Sequence, residues 1–198
     1  MKSVLISIKP EWCSLIASGK KTVEVRKSRP KIETPFKVYI YCTKNGSFMI
    51  QDENNPALSK NHIYKYGGKV IGEFVCDEII EINADDFEYG HYDISDDDLI
   101  KTRLTQEDLW EYGKGKTLYL WHISDLVIYD KPKELSEFYK YCNNDCSKCQ
   151  FAEEYETNSA MTPWVYESQY ACTVREKLRL KRPPQSWCYV EEMKCLNY

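Results

Sequence analysis

The sequence predicts an α+β domain built around a mainly antiparallel β-barrel, with a few short helices at its flanks. First, a strand pattern is followed by a helix pattern, then by several strand patterns and a late short helix. Second, few β-α-β repeats are available, which disfavours a parallel sheet. Third, aromatic residues make up 14% of the chain and include 16 tyrosines, and aromatic side chains are typical of pleated, half-buried strands.

The first elements are a buried strand at residues 4–8 and a helix that begins at Pro10. Proline suits the first turn of a helix because its missing N–H is not needed there. Residues 21–26 then alternate between polar and apolar. Because strand side chains alternate between two faces, we expect Glu24 and Arg26 to share one face and the valines between them to point to the other.

The later chain supplies three further strand patterns, two of them long: residues 37–43, 69–82 and 116–129. Gly72 predicts a bend or bulge in the second of these strands. The acidic stretch 83–98 is predicted to be a loop. Thr105 is a predicted cap for a short helix that ends at Gly113, and another helix is expected to open at Pro132.

The chain divides in character near residue 130. Residues 1–130 are predicted to form the barrel domain, and residues 131–198 a cysteine-containing extension packed on it, because most of the nine cysteines lie in the tail. The first apolar run is too short for a signal peptide, and no stretch approaches the roughly 20 apolar residues that cross a bilayer. These features predict a cytoplasmic protein without membrane association.

Charge is distributed unevenly along the chain. Residues 1–44 carry ten Lys and Arg against three acids, residues 77–112 carry two against thirteen, and residues 173–182 carry five against one. The two basic segments are expected to converge on an anionic ligand, although solvated faces that differ in charge would give the same pattern. The net charge of −4 disfavours broad, non-specific DNA binding, which is typical of basic domains.

One segment carries a family resemblance. Residues 7–12 followed by the spacing G-x-K-x-x-E-x-R at residues 19–26 resemble the opening of the ASCH family. The resemblance extends through residues 39–43, 72–74 and 118–123 and covers roughly residues 2–130. Residues 182–187 are similar to tails of phage-borne relatives. The family implies a PUA-like barrel whose charged strand lines a cleft, and this chain is identified as a phage- or prophage-type member.

The resemblance implies an RNA-binding or nucleotide-binding protein in which Lys21, Glu24 and Arg26 line a basic cleft. Arginine can hold a phosphate or a base edge through its planar fork, and single-stranded RNA exposes bases that stack on aromatic rings. An exposed strand with an internal Glu24–Arg26 pair is the structural alternative. The predicted binding set also includes Lys9, Tyr41 and Arg182, and the rings considered for stacking are Trp12, Tyr41 and Trp187.

Two alternatives to a binding protein stay open. Some ASCH-like proteins are amidohydrolases on acylated cytidine, and they need a lysine followed three residues later by a threonine nucleophile. Lys21 matches that pattern, but Glu24 occupies the nucleophile position. As a hydrolase of a modified nucleoside or of RNA, the chain would use Lys21 and Glu24 as catalytic residues. As a protein-interaction adaptor, it would present the acidic loop at residues 83–98.

The tail contains a second candidate site. Cys142, Cys146 and Cys149 lie at short spacing, and thiolates in such a group are typical ligands of tetrahedral zinc. Cys172 is the predicted fourth ligand, and Cys188 is the alternative. Reduced thiols or a disulfide remain open, and a bound zinc would have a structural role.

Overall fold

The computed structural model describes residues 1–44, 67–86, 90–142 and 175–193, together with four short strands outside these ranges. The strands are β1 (Lys2–Ile8), β2 (Val23–Arg26), β3 (Phe36–Cys42), β4 (Phe48–Met49), β5 (Ile63–Tyr64), β6 (Val70–Cys76), β7 (Ile79–Ile82), β8 (Leu118–His122), β9 (Ser124–Lys133), β10 (Ala152–Glu154), β11 (Tyr170–Cys172) and β12 (Trp187–Glu191). The helices are α1 (Pro10–Ala17), α2 (Asp96–Thr102), α3 (Gln106–Gly113) and α4 (Arg175–Leu178), with a 3-10 turn at Leu135–Glu137.

A five-stranded sheet with the order β12-β1-β3-β6-β9 forms the larger layer. Its β1/β3 pair is parallel, and its other three pairs are antiparallel. Apolar clusters cover both faces of this sheet: Ile6 and Ile40 belong to one cluster, and Leu5 and Tyr39 to the other. The central strands are apolar on both sides because both faces are covered. The buried strand predicted at residues 4–8 is confirmed within β1.

A three-stranded antiparallel sheet with the order β2-β8-β7 forms the second layer. Glu24 pairs with Trp121 across the β2/β8 ladder, and Val23 and Val25 belong to a separate apolar cluster on the outer face. Trp121 belongs to the cluster that covers the five-stranded sheet. The charged side of β2 therefore faces the space between the two sheets, and the predicted alternation of this strand is confirmed.

The chain passes between the sheets at two points where a single long strand was predicted. β6 ends at Cys76 and β7 begins at Ile79 in the other sheet, while β8 and β9 are divided at Ile123. The amide of Ile123 donates to the carbonyl of Thr22 at 2.9 Å, so this residue bonds to the chain just before β2. The predicted long strands at 69–82 and 116–129 are each two strands.

The α+β class is confirmed, and the sheets are mainly antiparallel. Within the described residues, no ladder joins the two larger sheets into a closed barrel. At each crossing the chain stops pairing in one sheet before it begins to pair in the other. The two sheets are therefore separate layers that are linked by the chain. β12 adds an edge strand to β1. The division of the chain at residue 130 stays a prediction.

Helix ends follow local signals in some places and not in others. α1 begins at Pro10 as predicted, and the predicted cap of α3 at Thr105 is confirmed. The structure adds that Thr105 and Asp108 each bond the other's backbone in a capping box. The loop prediction for residues 83–98 is wrong at its end, because α2 begins at Asp96 and the Ser95 side chain caps it by accepting a hydrogen bond from the Asp98 amide. The helix predicted at Pro132 is wrong, because β9 continues there.

None of the helices that the structure describes is both long enough and apolar enough to cross a bilayer. The cytoplasmic location stays a prediction.

Replacing Gly72 with alanine is expected to lower the free energy of unfolding by about 1–3 kcal/mol, the usual cost of forcing atoms into a packed interior. The new Cβ would lie 2.3 Å from the Val127 carbonyl oxygen and 3.1 Å from the Ile128 Cα, and backbone atoms cannot easily move aside. Urea unfolding measures the change. Glu81→Ala, at an exposed strand position, is the control. Equal stability of both variants would contradict this close approach.

Candidate ligand-binding site

Three charged side chains of the motif meet between the sheets. Lys21 precedes β2, and Glu24 and Arg26 lie on its inward face; their side chains are 2%, 8% and 11% exposed. Long charged side chains are rarely so buried unless they are paired. The structure therefore brings the three predicted residues together, but it covers them from solvent and they do not line an open cleft.

Glu24 lies between the two cations. Its Oε2 atom is 3.5 Å from Lys21 Nζ and its Oε1 atom is 3.1 Å from Arg26 Nη2. Lys21 also donates to the Thr102 carbonyl at 2.6 Å, and Arg26 donates to the Ser7 carbonyl at 2.7 Å. The group thus joins β2 to the end of α2 and to β1. Its hydrogen bonds to backbone carbonyls offset part of the desolvation cost of burying the two cations.

Arg26 reaches β1 because the carbonyl of Ser7 is not used in a strand ladder with β12. The β1/β12 ladder ends at the Ile6–Trp187 pair, which leaves the next carbonyl of β1 at an open edge. The Ser7 amide donates to the Ser186 carbonyl at 2.8 Å, and its hydroxyl donates to the Pro184 carbonyl at 2.7 Å. The segment at residues 182–187 is therefore fixed beside the charged group.

Burial lowers the pKa of Lys21 from its ordinary value of 10.5, and the negative charge of Glu24 opposes that shift. Lys21 Nζ also lies 5.3 Å from the centre of the Trp12 ring. An aromatic face attracts a cation, but it does not replace the lost hydration. The lysine is thus easier to deprotonate in the folded chain than in water.

Three polar atoms in this region lack hydrogen-bond partners among the described residues. They are Arg26 Nε, Glu24 Oε2 and Trp121 Nε1, and each is inaccessible to solvent. Buried polar groups are nearly always hydrogen-bonded, so three unmatched atoms on neighbouring residues are unusual. Glu24 Oε2 nevertheless has the Lys21 ammonium 3.5 Å away, so its negative charge is compensated.

A cavity of about 830 Å³ adjoins the charged group. Residues 27–34 form its wall, and Ile79 and Tyr119 complete the lining. Tyr119 is the direct cross-strand partner of Arg26, so the cavity begins one strand spacing from the buried arginine. Its volume lies in the usual range for small-molecule sites.

The cavity wall is basic and is held by the last described strand. Lys27, Arg29 and Lys31 are exposed side chains on this wall. Trp187 Nε1 donates to the Ser28 hydroxyl at 3.1 Å, and the Lys31 amide donates to the Tyr189 hydroxyl at 2.6 Å. The two aromatic residues of β12 thereby fix the loop that follows β2. Lys27 Nζ lies 4.6 Å from the centre of the Tyr112 ring.

The remaining predicted binding residues are placed differently. Lys9 is exposed at the start of α1 and lies 4.0 Å from Glu11, and Arg182 is exposed two residues before Pro184. Lys9 follows Ser7 by two residues, and Arg182 lies just before Pro184 and Ser186, whose carbonyls accept hydrogen bonds from Ser7. Tyr41 is 1% exposed and packs with Tyr39 in the cluster on the other face of the five-stranded sheet. The structure does not bring Tyr41 to the charged group.

Sequence reasoning missed the cavity wall and the inner rings. The basic residues at 27, 29 and 31 follow the motif arginine directly, and that signal was available. Tyr119 and Trp121 could be assigned to the site only through their pairing with β2. Of the three predicted stacking rings, Trp12 contacts Lys21 and Trp187 holds the cavity wall.

The predicted zinc ligands fall largely outside the described residues. Cys142 is partly buried, Cys146 and Cys149 lie in residues that the structure does not describe, and Cys172 is described only as part of β11. Across residues 1–44, 67–86, 90–142 and 175–193, no group of three or more potential ligands could hold a metal. Cys188 is partly buried, and burial raises its thiol pKa to about 11. The zinc site stays a prediction.

The fold and the site define a class: a strand-rich α+β protein with a buried charged strand beside a basic cavity. The ASCH domain family matches residues 6–179. The chain therefore belongs to the ASCH domain family.

Solved structures of one ASCH protein from Zymomonas mobilis are similar to the chain. The first is 21% identical, covers 67% of this chain and 73% of that one, and has a TM-score of 0.45. A tyrosine-to-phenylalanine variant is 21% identical, with coverages of 68% and 77% and a TM-score of 0.46. A serine-to-alanine variant is 20% identical, with coverages of 67% and 74% and a TM-score of 0.45. Among curated proteins, none matches.

Replacing Arg26 with alanine is expected to lower the free energy of unfolding by about 3–5 kcal/mol, because it leaves the Glu24 carboxylate buried with one cation fewer. The Ser7 carbonyl loses its donor as well. Chemical denaturation measures the change. Lys101→Ala, which breaks exposed pairs with Asp97 and Asp98, is the matched control and should cost far less. A loss no greater than that of the control would show that the pair is not buried in solution.

The stability difference between the wild type and Lys21→Met should change with pH. Because the folded-state pKa of Lys21 is lowered, the unfolded chain binds more protons between that pKa and 10.5. The wild type should therefore gain stability relative to the variant as pH rises towards 10.5. Urea unfolding of both chains across this range measures it, with the exposed Lys20→Met as control for the lost charge. A difference that is flat or falls with pH would contradict the lowered pKa.

Proposed function

We propose that the chain binds single-stranded RNA or a nucleotide in the cavity beside the buried charged strand. The observation that carries the proposal is a cavity of about 830 Å³ whose lining includes Lys27, Arg29 and Lys31 together with Tyr119. Cations in such a lining attract phosphates, and an aromatic ring beside them accepts an unstacked base. This combination suits a strand with free bases better than a duplex.

The charge of the site supports this choice over a neutral ligand. Lys27, Arg29 and Lys31 are exposed on a wall whose one acid is Glu33. A local excess of positive charge raises the concentration of anions near the opening even when the whole chain is acidic. Lys9, exposed directly after β1, and Arg182, exposed two residues before Pro184, are proposed to extend the path of the RNA backbone.

The buried charged group is proposed to support the wall of the cavity. Lys21, Glu24 and Arg26 hold β2 in place, and β2 leads directly into the basic wall. The contacts of Trp187 and Tyr189 fix the other side of that wall. A wall fixed on both sides binds with less loss of conformational freedom than a free loop.

The same proposal includes the type of ASCH protein to which the chain belongs and the division of the chain into two parts. We assign residues 1–130 to a PUA-like barrel of the phage-borne type and residues 131–198 to its extension, with structural zinc at the four cysteines. The strand crossings between Cys76 and Ile79 and at Ile123 support a barrel-like layout. Hydrolysis by Lys21 and Glu24, and an adaptor role for residues 83–98, stay predictions.

Arg29→Ala/Lys31→Ala should weaken the binding of a short single-stranded RNA and make it less sensitive to salt. Each lost phosphate contact should reduce the slope of log K against log salt by about 0.7. Fluorescence anisotropy at several salt concentrations measures both effects. Lys116→Ala/Lys131→Ala removes two exposed charges away from the cavity lining and is the matched control. The same affinity and slope in both double variants would overturn the proposed site.

A further inference from the structure

The loop that forms the basic wall of the cavity runs alongside β12. Trp187 Nε1 donates to the Ser28 hydroxyl at 3.1 Å, and two residues further along the strand the Tyr189 hydroxyl accepts from the Lys31 amide at 2.6 Å. Ser28 and Lys31 both line the cavity, so the loop and the strand advance in the same direction. Tyr189 therefore lies directly beside the part of the wall that Lys31 forms.

A cation contacts the ring of Tyr189. Lys2 Nζ lies 3.7 Å from the centre of that ring. In the β1/β12 ladder Lys2 pairs with Glu191, and Val4 pairs with Tyr189; alternate residues of a strand share a face. Tyr189 packs against the apolar cluster that contains Val4. Lys2 is thus on the same face of the five-stranded sheet as the contacts that hold the cavity wall.

Tyr141 contacts the same cation. Its ring centre is 5.3 Å from Lys2 Nζ, and its amide donates to the Tyr189 carbonyl at 3.2 Å. The bridge between Lys140 and Val190 holds the same segment against β12. The backbone of Tyr141 is therefore fixed, whereas the residue is 36% exposed. A fixed and exposed aromatic residue can bind a ligand with little loss of its own conformational freedom.

A continuous row of contacts leads from the cavity lining to an exposed aromatic residue: Lys31, Tyr189, Lys2 and Tyr141. Cations and aromatic rings alternate along this row. Such alternation is typical of surfaces that bind single-stranded nucleic acid, because cations attract phosphates and every base has a face that can stack. The row is thus chemically similar to the cavity lining that it adjoins.

We propose, resting on the proposed function above, that this row is a second subsite and that the ligand is a strand of several nucleotides, not a single nucleotide. One nucleotide occupies the cavity, the strand passes Tyr189, and a following base stacks on Tyr141 beside the Lys2 ammonium. Glu191 pairs with Lys2 in the ladder and offsets part of its charge. Stacking on Tyr141 therefore contributes more to the affinity than the cation does.

The same contacts also have a purely structural explanation. A cation that contacts two aromatic rings stabilises the folded chain at the place where β1, β12 and Tyr141 meet, and it does so without any ligand. A loss of stability in a variant of this row is expected under both explanations. The dependence of binding on the length of the RNA separates them.

The first test compares uridine 5′-monophosphate with a four-nucleotide uridine RNA, each titrated into the full chain in a calorimeter. The RNA is expected to bind at least about thirtyfold more tightly, the usual contribution of one stacked base. Equal affinities would overturn the second subsite. If binding still depended on Arg29 and Lys31, the proposed function would stand; if neither ligand bound, both proposals would fail.

Tyr141→Leu removes the ring, so the affinity for the four-nucleotide RNA should fall about tenfold while that for the monophosphate stays unchanged. Tyr141→Phe keeps the ring and is the matched control, which should bind both ligands as the wild type does. Lys2→Met should cause a smaller loss and lower the slope of log K against log salt by about 0.7. Unchanged RNA affinity in Tyr141→Leu, or an equal loss for both ligands, would overturn the proposal.

Discussion

The burial of one carboxylate between two cations is the interaction on which the rest of the arrangement depends. Glu24 between Lys21 and Arg26 would be costly to bury alone, since an unpaired charge in a protein interior is strongly destabilising. Each cation also reaches a backbone carbonyl of another element, at Thr102 and at Ser7. The same three side chains therefore balance charge and connect both sheets to α2. One positive charge remains in excess, which favours ligands rich in acceptors.

The sequence predicted the parts of the fold that depend on near neighbours. The strand at residues 4–8, the start of α1 at Pro10 and the helix cap at Thr105 follow from local chemistry, and the structure confirms them. The crossings of the chain between the sheets were missed. A strand that continues in sequence can change its partner without any local signal, because the change depends on distant residues such as Thr22, which bonds Ile123.

The sequence predicted which charged residues form the site, but it did not predict that they are covered from solvent. The motif identified Lys21, Glu24 and Arg26, and the alternation of β2 placed the last two on one face. Whether a strand face is open or covered depends on what packs against it, and the covering groups come from α1, α2 and the segment before β12. The cavity was missed for the same reason: residues 187–189 hold its wall, although they lie far along the chain.

The pairing of β12 with β1 has a consequence for the way the protein is made. β1 leaves the ribosome long before residues 187–191, so its outer edge has no strand partner during most of synthesis. An apolar strand with unsatisfied backbone groups is prone to join strands of other molecules. The sheet is thus complete only after β12 has been synthesised. Until then, a chaperone that shields exposed strands would protect the nascent chain.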